Sequence, residues 1–222
     1  MNSINIKSRN SESGFTLIEI AIVLVIIGLL LGGVLQGQQL IENSRVKAAT
    51  NDFNGLAAAV FSYQDRYGRL PGDDPGAVTG RGASWPGTNV GNGNGVIADA
   101  TSIFAPAATD ETGIFFSNLR SAGFIAGDPT ETGALALPQN PFGGLTSIAS
   151  GTLFATMNGL KICMGNVSGT SAIALDTQLD DGDAISGRFR GVASTTPNAA
   201  PGTTALTVAY VEDSSYTVCY RI

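Results

Sequence analysis

Histidine is absent from the 222-residue chain, which removes imidazole acid–base chemistry, histidine metal ligands and the common catalytic triads. Charge is scarce: 14% of residues are Asp, Glu, Lys or Arg, against roughly 25% in typical soluble domains. Basic residues are the scarcer sign, 12 against 18 acidic, for a net charge of −6. Binding phosphates requires clustered Lys and Arg, so no nucleic-acid partner is evident. Cysteine occurs only twice. Apolar residues make up 43% and the mean hydropathy is +0.18, so some segment is strongly apolar. The 29 glycines and 9 prolines point to a loop-rich body. Length alone allows one or two domains.

The apolarity is concentrated near the N-terminus. Phe15 to Leu35 reads FTLIEIAIVLVIIGLLLGGVL, about 21 residues or about 31 Å of helix, enough to cross a hydrocarbon core of roughly 30 Å. Residues 1–14 are polar. Lys7 and Arg9 would hold that end in the cytoplasm, with everything beyond Leu35 outside. Three readings compete. A secretory signal peptide fits the polar start, but Leu35-Gln36-Gly37 puts a large residue where cleavage wants a small one, and the apolar run is long. An uncleaved anchor leaves Glu19 unexplained. A carboxylate in a spanning helix costs about 2.5–3.5 kcal/mol on insertion scales. No Lys or Arg between residues 10 and 44 can pair with it.

The third reading starts from Gly14-Phe15-Thr16-Leu17-Ile18-Glu19. At the head of the apolar run, with basic residues before it, this hexapeptide resembles the processing site of type IV prepilins and type II secretion pseudopilins. The resemblance implies that a prepilin peptidase cuts between Gly14 and Phe15 on the cytoplasmic side. The leader, residues 1–14, is removed, the helix is kept, and the new Phe15 amine is methylated. It further implies that Glu19 of one subunit neutralises the Phe15 amine of a neighbour inside a filament, where an unpaired charge would be expensive. The implied partners are the peptidase, the inner membrane, and copies of the chain or related pilins.

The helical pattern continues past the apolar run. Ala49, Phe53, Leu56, Val60, Phe61 and Tyr67 recur at helical spacing, and Gly68 and Pro71 supply a stop. One helix is therefore expected over 15–67, about 80 Å long, membrane-spanning over about 15–35. Gly28, Gly32 and Gly33 are weak points in its apolar half, fit either for close helix packing in lipid or for local melting on assembly.

Residues 68–151 read as a loop-rich connection with a short helix at about Ile114–Ala122, stopped by Gly123. Residues 152–222 read as an antiparallel sheet of four or five strands with one face on the long helix. The segments Thr152–Met157 and Leu160–Val167 flank Asn158-Gly159 as a hairpin. Ala184–Arg190, Thr204–Val211 and Tyr216–Ile222 supply further strands, and Ala172–Leu179 a short helix. The fold class is α+β, and the resemblance makes it pilin-like.

Cys163 and Cys219 both lie in strand-like segments outside the cytoplasm, where disulfides persist. Pairing would close a loop of about 57 residues and stabilise by about 4 kcal/mol in the chain-entropy model. Free thiols or a metal pair are the alternatives, and two thiolates alone make a poor zinc site. The resemblance favours the disulfide, since type IV pilins often carry such a C-terminal disulfide-bounded region.

Two stretches have oxygen ligands at spacings that invite Ca²⁺. Gly91–Asp99 departs from an EF-hand, with Asn92 and Asn94 where Asp would add charge, and a plain Asn-Gly turn is preferred. Asp180, Asp181 and Asp183 form the densest acidic cluster. Major-class pseudopilins do bind calcium near their C-terminal loops, yet a solvated Asp-Gly turn is preferred here too. No metal or cofactor is expected, and no nucleophile motif or oxyanion site accompanies these carboxylates.

The resulting expectation is a structural, non-enzymatic subunit of a type IV pilus-like filament. It sits in the inner membrane with its body outside and then in an extracellular or periplasmic filament. The mature length and the cysteine pair place a type II secretion pseudopilin second. A membrane-anchored periplasmic enzyme comes last.

Overall fold

The computed structural model describes residues 14–79, 81, 85, 91–97 and 102–222. Residues 1–13, Lys7 and Arg9 among them, and Asp99 lie outside the described residues. The architecture is α+β and pilin-like: a long N-terminal helix with an apolar span, followed by a small antiparallel sheet. Its contacts divide the chain into two units, Met1–Glu42 and Asn43–Ile222.

The first helix, α1, runs Leu17–Tyr67, 51 residues without interruption. Gly68, at φ 67°, ends it, as glycine can adopt the left-handed backbone without a Cβ clash. Within the first unit the described side chains are exposed apart from the half-buried Glu42 region, and the apolar span is wholly unburied. Within the second unit α1 buries Val46, Ala49, Phe53, Ala59, Val60 and Tyr63. Of the expected stripe Ala49, Phe53 and Val60 are buried, Leu56 and Tyr67 are half-buried and Phe61 is exposed, while Tyr63 joins the buried face.

After a single turn, α2 (Gly76–Thr79), the chain forms α3 (Glu111–Ser121), which buries Ile114, Phe115, Phe116 and Leu119. Its end is a Schellman closure: Gly123 at φ 78° donates to the Arg120 carbonyl at 2.9 Å, and Phe124 to that of Leu119 at 3.0 Å. A 3₁₀ turn, Gly133–Ala136, leads to the sheet.

Four strands, β1 (Thr146–Ala149), β2 (Lys161–Ser168), β3 (Phe189–Ser194) and β4 (Ser215–Arg221), pair antiparallel in the order β1-β2-β4-β3. Helix α4 (Gly169–Leu179) follows β2 directly, and its N-cap Ser168 accepts from the Ser171 amide at 3.2 Å. The main core joins the second half of α1, α3, α4 and the sheet, with Phe53 edge-on to Phe189 and Tyr220 at 5.9 and 5.7 Å. A second cluster gathers Ile103, Phe104, Leu153, Phe154 and Met157 around Cys163 and Cys219.

Three strand expectations are corrected. Thr152–Met157 is not a strand, and β2 pairs instead with β1, inside the segment expected to be loop. The reason is Lys161. Its ammonium is fully buried and donates to the carbonyls of Gly151 at 2.5 Å, Met157 at 3.3 Å and Gly159. Bringing three carbonyls to one cation curls residues 151–159 into a loop, with Phe154 and Ala155 at positive φ. Thr204–Val211 is not a strand either. The Phe154 and Ala155 amides reach the Gly202 and Thr203 carbonyls just before it, and the Val211 amide donates to the Tyr216 hydroxyl at 2.7 Å instead of to a ladder. The strand expected at Ala184–Arg190 starts later, at Phe189, because the Asp180 carboxylate takes the Arg188 and Phe189 amides and holds the preceding residues in a loop.

Candidate functional site

The chemistry indicated by the sequence lies at the head of α1. Gly14, Phe15 and Thr16 are non-helical and exposed, and the helix begins at Leu17. Glu19 accepts from the Thr16 amide at 2.8 Å and from the Thr16 hydroxyl at 2.7 Å. In return the Thr16 hydroxyl oxygen accepts from the Glu19 amide at 3.3 Å. This is a reciprocal capping box, with Thr16 at N-cap and Glu19 at N3, and it satisfies donors that a helix start otherwise leaves orphaned. Sequence reasoning assigned Glu19 to a neighbour's amine and passed over Thr16. The spacing Thr-x-x-Glu ahead of an apolar run was the available signal.

Beyond Glu19 the helix exposes Ile20, Ile22, Val23, Leu24 and the apolar residues that follow as far as Leu35. It is long and apolar enough to cross a membrane.

The acidic residues of the body are arranged differently from the expected set. Asp176, Asp180 and Asp181 each bring a carboxylate oxygen within 4.8 Å of the others. Asp183 stands apart, accepting from the Ile185 amide at 3.2 Å. Asp176, on α4, was not foreseen. It is buried, accepts from the Tyr210 hydroxyl at 2.9 Å and the Gly182 amide at 2.9 Å, and burial pushes its carboxyl up to about 6 against those hydrogen bonds. Asp181 is exposed and held below the usual carboxylate range by the Ser186 hydroxyl and the Asp183 amide. The turn is therefore knitted by hydrogen bonds from its own chain.

At the other stretch, amides converge rather than oxygens. Asp73 accepts from the amides of Asn92, Gly93 and Gly95 at 3.0, 2.5 and 2.7 Å. Asn92 and Asn94 each close an Asx turn onto the amide two residues on, at 2.9 and 2.8 Å. The described part, Gly91–Ile97, is thus a turn wrapped around a buried carboxylate. Neither Asp73 nor its neighbour Asp74 was singled out from the sequence. They lie in a Pro-Gly-Asp-Asp-Pro-Gly run with the composition of a turn, and both are buried.

Cys163 and Cys219 form a disulfide between directly opposed positions of β2 and β4. It closes the segment containing α4, the acidic turn and β3.

With this geometry in place, comparison with known families identifies the prokaryotic N-terminal methylation motif over residues 9–35. That motif is the signature of type IV pilins and pseudopilins, and it supports a type IV pilin-like or pseudopilin protein. The motif implies processing by a prepilin peptidase and assembly among pilins. No curated protein matches the chain.

Proposed function

We propose that the chain is a structural subunit of a type IV pilus-like filament. Its leader is removed between Gly14 and Phe15, the Phe15 amine is methylated, and the subunit polymerises through the apolar part of α1. Glu19 neutralises the Phe15 amine of a neighbouring subunit. Before assembly the apolar span holds the subunit in the inner membrane with its body outside. The reading assigns no catalytic step to the chain. The observation that carries it is the methylation motif over residues 9–35, which overlaps a helix starting at Leu17 whose apolar span is exposed on all sides. Such a surface needs lipid or other helices to cover it.

Electron microscopy of cells with and without the chain tests the reading. Filaments lost on deletion and restored by the wild-type chain are expected. Unchanged filaments together with loss of secretion of folded proteins would favour the second reading, a type II secretion pseudopilin. The Asp176–Asp180–Asp181 grouping is the observation that points that way. A melting midpoint raised several degrees by millimolar Ca²⁺, and not raised in Asp181→Asn, would strengthen it.

A further inference from the structure

We propose that Asn158 is a self-modification site, where the Gly159 amide nitrogen attacks the Asn158 side-chain amide and converts the residue to a mixture of aspartate and isoaspartate. Four Asn-Gly pairs occur in the sequence, at Asn54, Asn92, Asn94 and Asn158. Glycine, lacking a Cβ, shields its nitrogen least, so each pair is a candidate. The fold leaves only the last of them ready to react.

In the first step the Gly159 nitrogen bonds to Cγ of Asn158, the Cγ–Nδ2 bond breaks, and the Gly159 proton leaves with the departing nitrogen as ammonia. Water then opens the cyclic imide. Addition at Cγ gives aspartate. Addition at the Asn158 backbone carbonyl, the less hindered side, gives isoaspartate and reroutes the main chain through the side-chain carbon. Water is the sole co-reactant. The attacking nitrogen must be free of any hydrogen bond. Gly55 lies inside α1, where the helix engages its amide. Gly93 and Gly95 donate to the Asp73 carboxylate at 2.5 and 2.7 Å, and the Oδ1 atoms of Asn92 and Asn94 are held by the amides of Asn94 and Val96. Asn158 and Gly159 are exposed and non-helical, and among the described residues no acceptor takes the Gly159 amide. The space where Gly159 would carry a Cβ is open. The target carbonyl is also activated. The Thr152 hydroxyl donates to Asn158 Oδ1 at 2.5 Å, the atom that gathers negative charge in the tetrahedral intermediate. The Lys161 ammonium donates to the Met157 and Gly159 carbonyls on either side of Asn158, setting a positive charge near the nitrogen that gives up its proton. Isoaspartate inserts a methylene between two of the three residues whose carbonyls hold Lys161, so the product loosens that clamp.

The test incubates the full chain in detergent and mildly alkaline buffer made with heavy-oxygen water, then digests it in ordinary water, so that only acid formed during incubation carries the label. Mass spectrometry reads each Asn-Gly peptide, and an isoaspartate-specific methyltransferase separates the two products. In the folded chain Asn158 should convert at least about tenfold faster than Asn92 or Asn94, whose glycine amides must first give up a bond to a charged carboxylate. Asn54 should also lag, and isoaspartate should exceed aspartate at Asn158. In concentrated urea the four sites should converge, since the fold no longer separates them. Thr152→Ala should slow conversion of Asn158 about fivefold, the factor of one lost hydrogen bond, and Thr152→Ser should restore it. Limited digestion of the converted chain should cut faster within residues 151–159. Equal rates at Asn92, Asn94 and Asn158 in the folded chain, or labelled aspartate without isoaspartate, would overturn the proposal. A Thr152→Ala chain converting as fast as wild type would overturn the part given to the hydroxyl.

Discussion

The Tyr63 hydroxyl donates to Asp74 Oδ2 at 2.8 Å, tying a buried position near the end of α1 to the turn that follows it. Arg81 pairs with the same carboxylate, donates to the Tyr63 oxygen at 3.0 Å, and lies 3.9 Å from the Tyr67 ring centre and 4.8 Å from that of Trp85. A cation packed on aromatic rings and a buried carboxylate thus fasten the connection to the helix.

Removing one partner of a buried pair strands the other, so Asp74→Ala should cost about 3–5 kcal/mol. Tyr63→Phe removes a single hydrogen bond and should cost about 1 kcal/mol. Denaturant unfolding of the soluble body, starting near Gln39, measures both. Equal losses would contradict the Asp74–Arg81 pairing as the dominant contact.

Lys161 should tolerate little change. Lys161→Met keeps much of the volume but leaves the carbonyls of Gly151, Met157 and Gly159 facing an apolar group. Orphaned buried polar groups cost about 1–3 kcal/mol each. A loss of about 3 kcal/mol, with faster proteolysis within residues 151–159, is the expected result of unfolding and limited-digestion measurements.

Asp176 predicts a pH dependence of definite sign. Its folded carboxyl is pushed up to about 6 by burial, while an unfolded Asp titrates near roughly 3.9. Between these values the folded state binds more protons, so this group's stabilisation is full below about pH 4 and is lost as pH rises through about 6. Comparing wild type with Asp176→Asn across pH 4–7 isolates the effect. The wild type should lose stability relative to the variant as pH rises, and a parallel pair of curves would contradict it.

Reduction of the Cys163–Cys219 bond should lower the stability of the body by up to about 4 kcal/mol, because it releases a long closed loop in the unfolded chain. Non-reducing peptide mapping of exported protein should find the two cysteines linked. Two freely alkylated thiols would place the body in a reducing compartment.

Periodicity made the helices legible. The α1 stripe, the Gly68 and Gly123 stops and the helix after Val167 all follow from local rules, and the helix head was marked by its hexapeptide. What stayed hidden depends on contacts distant in sequence. Thr152–Met157 alternates like a strand, yet Lys161 draws its neighbouring carbonyls inward and the segment 202–203 takes its amides. Thr204–Val211 alternates too, but Tyr210 is held by Asp176 on α4. The burial of Asp73 and Asp74 was not legible because their partners, the amides of residues 92–95 and Arg81, lie well along the chain. Thr16 was legible in principle and was eclipsed by the charge of its partner Glu19.

In the proposed function the chain loses a short polar leader and keeps its apolar helix. Mass spectrometry of the mature protein from membranes or filaments tests this directly. An N-terminus at Phe15 carrying one added methyl group is the predicted result. An N-terminus near Gly37, with the apolar segment gone, would contradict it.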